Sequence, residues 1–199
     1  MQSLPEKVKS VRRVHARLDK EIASFQQRTR LHCLSGCGEC CKKPDIEATP
    51  LEFLPLALKF FDEGKAEEVL EQLNYRTDPL CFVFRPNITQ FGGLCSEYPD
   101  RGLICRLFGY TARRNKEGQK ELVTCTLIKS DQKKEFNLAV EKIKSGEKVA
   151  VMSDYYSRLS SIDPTLVQFY PINEAMKRAV ETVMHYYAYR KRRKRASQS

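Results

Sequence analysis

The stretch HCLSGCGECCKK, residues 32–43, places Cys33, Cys37, Cys40 and Cys41 within nine positions and ends the run with two cysteines side by side. Four further cysteines follow at 81, 95, 105 and 125. How these eight thiols are used decides how the middle of the chain is held. The candidates are a disulfide framework, a metal or cluster site, and a reactive nucleophile.

Compartment argues against the first. The opening MQSLPEKVKSVRRVHARLDK lacks the unbroken apolar core of a secretory signal, and no apolar run approaches the length of a membrane span. The expected location is therefore cytoplasmic, where thiols stay reduced. A nucleophilic role finds little support either. The histidines are His15, His32 and His185, and no Cys/His/Asn arrangement stands out among them. His32 is expected to be exposed or to sit behind a ligand rather than to ligate.

Metal ligation fits the spacing. Tetrahedral zinc sites take four soft donors, commonly offered in pairs two to four residues apart, and Cys37 and Cys40 form such a pair around Gly38 and Glu39. Gly36 and Gly38 let the loop fold so that sulfurs converge and backbone amides turn toward them. Neighbouring side chains of an extended chain point apart, so Cys40 and Cys41 are expected to serve two ions, or two corners of a cluster, rather than one ion. Eight thiols suffice for two four-sulfur sites or for one 4Fe-4S cluster with some to spare. The candidate ligands are Cys37, Cys40, Cys41, Cys95 and Cys105, then Cys33 and Cys81, and last Cys125, which lies in an apolar run and reads as a plain buried thiol. Lys42, Lys43, Arg101 and especially Arg106 are placed to offset thiolate charge.

Around this centre the pattern is helical. Val8, Val11, His15, Leu18, Ile22 and Phe25 form one apolar stripe over residues 5–30, expected to pack on the rest of the chain rather than in a dimeric coiled coil. His15 reads as a partly buried packing residue. Thr49, Pro50 and Glu52 are a capping box and first-turn proline opening a helix over 49–63, which Pro55 bends or restarts. Further helices are expected at 66–73, 131–146, 148–161 and 172–190, and strands at 81–84 and 121–128. Residues 85–110 carry too much Pro and Gly to be held by backbone ladders alone. The tyrosines at 155, 156, 186, 187 and 189 read as core packing. The fold class is mainly α with short β-strands (α+β). It is organised as one domain over 1–189: the 5–30 helix, a cysteine core over 33–125, and helices over 132–189.

RKRRKR, residues 190–195, supplies six of the net +10 charges and reads, with 196–199, as a disordered basic tail.

The combination of CLSGCGECC, a helix containing Glu52, and CSEYPDRGLICRLFGY resembles the YkgJ-type cysteine-cluster family. That family is marked by a CxxCxxCC run and a later C-x-x-Y-x-x-R-P-x-x-C-R-x-F segment, and is described as zinc- or iron-chelating. The resemblance spans residues 33–125. It places Cys33, Cys37, Cys40, Cys41, Cys95 and Cys105 on the family cysteines, with Cys81 before them, and Tyr98, Arg101, Arg106 and Phe108 on the second motif. Here Cys33 and Cys37 are separated by three residues instead of two, and Gly102 stands where the family has proline. The resemblance implies binding of zinc or iron. A flagellin lysine methylase carries a similar cluster, which makes a metal-dependent, methyltransferase-like enzyme an alternative, although no glycine-rich dinucleotide-type fingerprint for a methyl donor is present. The other alternative is a nucleic-acid- or ribosome-associated protein with structural zinc, contacting its acidic partner through residues 190–195. That alternative predicts salt-sensitive binding to RNA or DNA that disappears when 190–195 are deleted, measured by titration across ionic strength.

Overall fold

Ser3 and Glu6 bond reciprocally around the first turn of α1 (Leu4–Thr29), with Pro5 inside it, and Arg30 ends the helix in a left-handed conformation. Those signals lie where the sequence pattern starts and stops. The computed structural model describes residues 2–33, 37–87 and 92–196, the last six of these by backbone only. The stripe Val8, Val11, His15, Leu18, Ile22 and Phe25 is buried as expected, against α2 (Leu54–Asp62), α4 (Leu103–Leu107), α6 (Lys133–Lys144) and α7 (Met152–Ser160).

The capping box of Thr49 and Glu52 is also present, but it opens a 3₁₀ turn, Pro50–Phe53, and α2 restarts at Leu54 with Pro55 in its first turn. Proline has no N–H to give and tolerates only a first turn, so two prolines five residues apart make two starts. α3 (Ala66–Tyr75) buries Val69 and Leu73, and α8 (Ile172–Ala196) packs across α2 and α3. The backbone of the basic run 190–195 continues α8; residues 197–199 lie outside the described part.

The fold is mainly helical with short antiparallel strand pairs. Ala48 of β1 (Glu47–Ala48) pairs with Tyr170 of β6 (Tyr170–Pro171), Phe84 of β2 (Phe84–Pro86) with Cys95 of β3 (Gly93–Cys95), and Thr111 of β4 (Thr111–Arg114) with Val123 of β5 (Lys120–Val123). Two expected strands are corrected. Residues 81–83 form a turn before β2, because Phe84 N–H bonds back to Cys81 O. Residues 126–128 are helical, in α5 (Thr126–Asp131), because the Cys125 sulfur caps that helix. The segment 85–110 also has more regular structure than its composition suggests, holding β2, β3 and α4, elements too short to show a period in sequence.

One large apolar core joins α1, α2, α3, α7 and α8. A smaller one gathers Phe25, Leu31, Ile128, Ala139 and Ile143 beneath the start of the cysteine segment. A buried polar group ties α4 to α1. Arg106 donates through Nε to Arg101 O (3.1 Å), through Nη2 to Pro99 O (2.5 Å) and through Nη1 to the Asp19 carboxylate. His15, more deeply buried than its sequence position suggests, lies against the charges of Arg106 and Arg101, and among the described residues its Nε2 has no partner. Burial, followed by those two cations, holds its pKa down at about 3.

A histidine kept neutral in the fold but titrating normally when unfolded stabilises the protein above pH 6.5, and that stability is lost as pH falls toward 3. Asp19, one turn along α1, pairs with Arg106 and Arg101, the two cations that act on His15. Between pH 7 and 5 this one group is expected to remove about 2 kcal/mol. Urea unfolding of the His15→Leu variant at both pH values should show a loss smaller by that amount than the wild type.

Candidate metal centre

The cysteine segments are turns and very short elements, and several are held by a side chain reaching in from elsewhere. Gln132, between α5 and α6, accepts from His32 N–H at 3.0 Å and donates to His32 O at 2.6 Å, which fixes the chain next to Cys33. Asn173, in the first turn of α8, accepts from Phe82 N–H and donates to Leu80 O, both at 2.8 Å, and so brackets Cys81. Glu52 is fully buried. Its Oε1 receives Thr49 N–H and Oγ1, while its Oε2 receives Ile104 N–H at 2.7 Å, beside Cys105. Ser96 donates N–H and Oγ to Val83 O, locking the strand that ends in Cys95 against the turn after Cys81.

These clamps bring the distant cysteines into one region. The Cys41 thiol lies within electrostatic reach of Cys40, Cys81 and Cys105, and the Cys105 thiol within reach of Cys81, Cys40 and Cys95. Cys33 interacts with Cys37, Cys40 and Cys125. All eight thiols are free, with no disulfide among them. Among the described residues, however, no three His, Cys, Asp or Glu side chains are grouped so that they could hold an ion.

Cys40 and Cys41 lie on one 3₁₀ turn, Glu39–Lys42, rather than in extended chain. With three residues per turn, neighbouring side chains there diverge by about a third of a circle, and the Cys41 thiol donates to the Cys40 sulfur. That hydrogen bond, joined by backbone N–H groups and Arg101, pulls Cys40 down to about 6, while Cys41, as the donor, moves up. Burial raises Cys33 and Cys81 to about 11 each, and raises Cys95 and Cys105 as well. Opposing this, backbone N–H groups point at several sulfurs: Val83 at Cys81, Glu97 at Cys95, and Ile128 at Cys125 at 3.3 Å. Amide donors aimed at sulfur favour the thiolate, the form that binds metal. Soft donors, unbridged and supplied with amide hydrogen bonds, suit zinc or iron.

Of the four cations expected beside the thiols, Arg101 rather than Arg106 lies within reach of them. Arg106 is spent on Asp19 and two carbonyls, and Lys42 pairs with Glu39 at 2.5 Å. Arg101 instead stacks over Tyr98 at 3.8 Å, and its charge reaches Cys40 and Cys95. Cys125 is also not buried in a strand; it is half-buried at a helix start. His32 is exposed, as expected. Gly38 has φ +62°, and a Cβ there would lie 2.7 Å from the Phe84 ring and 2.9 Å from Gly93 O, so no other residue fits. The turn expected at Gly36 lies outside the described residues. At Gly102 a Cβ would meet Phe53 at 2.7 Å and Glu52 Oε2 at 2.8 Å. In this chain the space for a larger residue is taken by the Glu52 clamp.

Residues 32–126 match the family model described as "CxxCxxCC: Putative zinc- or iron-chelating domain". Over these residues the chain matches the family that its cysteine motifs resemble. The matched stretch runs from His32, just before the first cysteine, to Thr126, just after the last. No curated protein and no solved structure matches the chain. Among the described residues no helix is long and apolar enough to cross a membrane.

Gln132 and Asn173 were not legible as site residues, since nothing in sequence marks an amide that closes on backbone a hundred or ninety positions away. Replacing Asn173 with Leu leaves Phe82 N–H and Leu80 O unsatisfied and is expected to cost about 2 kcal/mol. Asn173→Asp, which keeps the acceptor, should lose roughly half as much; chemical unfolding of both variants measures the difference.

Proposed function

We propose that this protein ligates zinc or iron through cysteine thiolates drawn from its whole cysteine set, Cys33, Cys37, Cys40, Cys41, Cys81, Cys95, Cys105 and Cys125, and that the metal ties the irregular centre to the helices on either side. The observation that carries this reading is the delivery of unbridged cysteines, spread over 93 positions (33 to 125), into one electrostatic neighbourhood by clamps from Gln132, Asn173 and Glu52. An apolar core does not need such clamps, and a disulfide framework would show bridges. Four thiolates around a divalent ion leave excess negative charge, and Arg101 stands where it offsets that charge.

Structural zinc contributes on the order of 10 kcal/mol to small domains that depend on it. Here the ion would join segments that are distant in the chain and already packed on the core through Phe82, Val83, Phe84, Leu103 and Leu107. Because burial holds Cys33, Cys81, Cys95 and Cys105 above their ordinary range, uptake of metal would release protons and weaken in acid.

Elemental analysis and absorption spectra of protein purified without air test the proposal. Zinc with a colourless sample supports mononuclear thiolate sites. Iron with sulfide and a brown colour supports an iron–sulfur cluster. Protein that holds neither metal after exposure to both, with its thiols reduced, overturns the reading. Under the proposal a chelator should also lower the thermal midpoint of the loaded protein.

A further inference from the structure

Several cations of α1 meet a carboxylate: Lys7 pairs with Asp163, Arg17 with Glu21 and Arg28 with Glu147. Three neighbours on one side of the helix do not. Among the described residues Lys9 and Arg12 make no ion pair, and the Arg13 guanidinium reaches the Ser10 hydroxyl at 2.9 Å instead of an acid. These three cations line an open groove of about 480 Å³ whose apolar part is Pro5, Val8 and Ala16 of α1 and Leu58 of α2. Its lining runs from residue 5 to residue 16, so it follows α1 for about three turns, roughly 16 Å. No carboxylate lines it. Lys9 precedes Arg12 and Arg13 by three and four positions, the spacing at which like charges repel on a helix surface. An apolar floor with an uncompensated cationic rim fits an acidic helix that carries an apolar residue beside its carboxylates.

Such a helix is on the same chain. α3 buries Val69 and Leu73 and leaves Glu67, Glu68, Glu71 and Tyr75 exposed. Tyr75, 78% exposed, is the most exposed large hydrophobic side chain among the described residues. Glu68, Glu71 and Tyr75 follow one another at i, i+3 and i+7, the same spacing as Lys9, Arg12 and Ala16 along the groove. Among the described residues Glu67 and Glu71 make no ion pair, and Glu68 accepts from Gln72 rather than from a cation. No ion pair joins the two surfaces within one molecule. We propose that copies of this chain associate head to tail, α3 of one lying in the α1 groove of the next, with Glu68 and Glu71 against Lys9, Arg12 and Arg13 and the Tyr75 ring on the apolar floor. Two different surfaces meet, so the contact is heterologous and either closes into a ring or extends as a chain. Its charges are exposed, which makes it weak and sensitive to salt. None of these residues is a cysteine or one of the clamps, so the association stands apart from metal ligation.

The test is sedimentation velocity of the full chain as purified, with thiols kept reduced, over a concentration series reaching about 0.5 mM. At about 50 mM salt the mean mass of the wild type is expected to rise with concentration to the dimer or beyond, and at about 0.5 M salt to fall back to the monomer. Arg12→Glu with Arg13→Glu, and separately Glu68→Lys with Glu71→Lys, should each stay monomeric at low salt. Mixing these two variants should restore association, because the intact α3 of the first meets the intact groove of the second. Tyr75→Ser should weaken association about tenfold. Lys133→Glu with Lys134→Glu, at exposed positions of α6, changes net charge as much as the first pair and should associate like the wild type. All these exchanges are at exposed positions, and circular dichroism of each variant checks that the helices remain. A wild type that stays monomeric at low salt overturns the proposal. So does association that survives either charge reversal, a mixture of the reversed variants that stays monomeric, or equal loss of association in the Lys133 and Lys134 variant.

Discussion

Irregular backbone near a protein interior must find partners for its N–H and C=O groups, because an unpaired buried polar group costs about 1–3 kcal/mol. The cysteine segments of this chain have few ladder or helix partners of their own. They borrow them: Gln132 satisfies both polar groups of His32, Asn173 satisfies Leu80 and Phe82, and Glu52 satisfies Thr49 and Ile104. Each borrowed partner is rooted in or beside a helix that the apolar core holds in place. The positions of the thiols are therefore set by helix packing, relayed through side chains, and the loops themselves need little structure of their own.

The same economy governs charge. Glu52 is buried against the pull of desolvation, which raises its pKa to about 6, yet its bonds to Thr49 and Ile104 keep both oxygens occupied. Arg106 is buried because Asp19 and two carbonyls accept from it. Two adjacent helical positions of the second motif thus do different work. Cys105 faces the other sulfurs, while Arg106 turns back to α1 and anchors α4 to it. Breaking the Arg106–Asp19 pair would loosen α4 from its support, and Cys105 with it.

A metal-binding reading joins these features. Thiols raised by burial resist ionisation, whereas amide N–H groups at Cys81, Cys95 and Cys125 and the guanidinium of Arg101 favour it. That balance suits ligands that stay protonated until an ion displaces the protons. Under that reading metal loading would be tied to the order of the middle segment, since the clamps beside Cys33, Cys81 and Cys105 also fasten these segments to their surroundings.

Much of the helical frame was legible in sequence because its signals are local. The α1 stripe, the capping box at Thr49 and Glu52, the restart at Pro55 and the α8 stripe each depend on residues within one or two turns. The cysteine spacing and the second motif likewise pointed to the family described as zinc- or iron-chelating before any coordinates. What the tertiary structure alone decided was non-local: the two-residue pairing of β1 with β6, the helix capped by Cys125 in place of a strand, Arg101 rather than Arg106 as the cation beside the sulfurs, and the amides of Gln132 and Asn173. None of these has a period or a neighbour to reveal it. Each is fixed by which distant backbone group still lacks a partner once the helices have packed, and that is a property of the folded chain rather than of any window of its sequence.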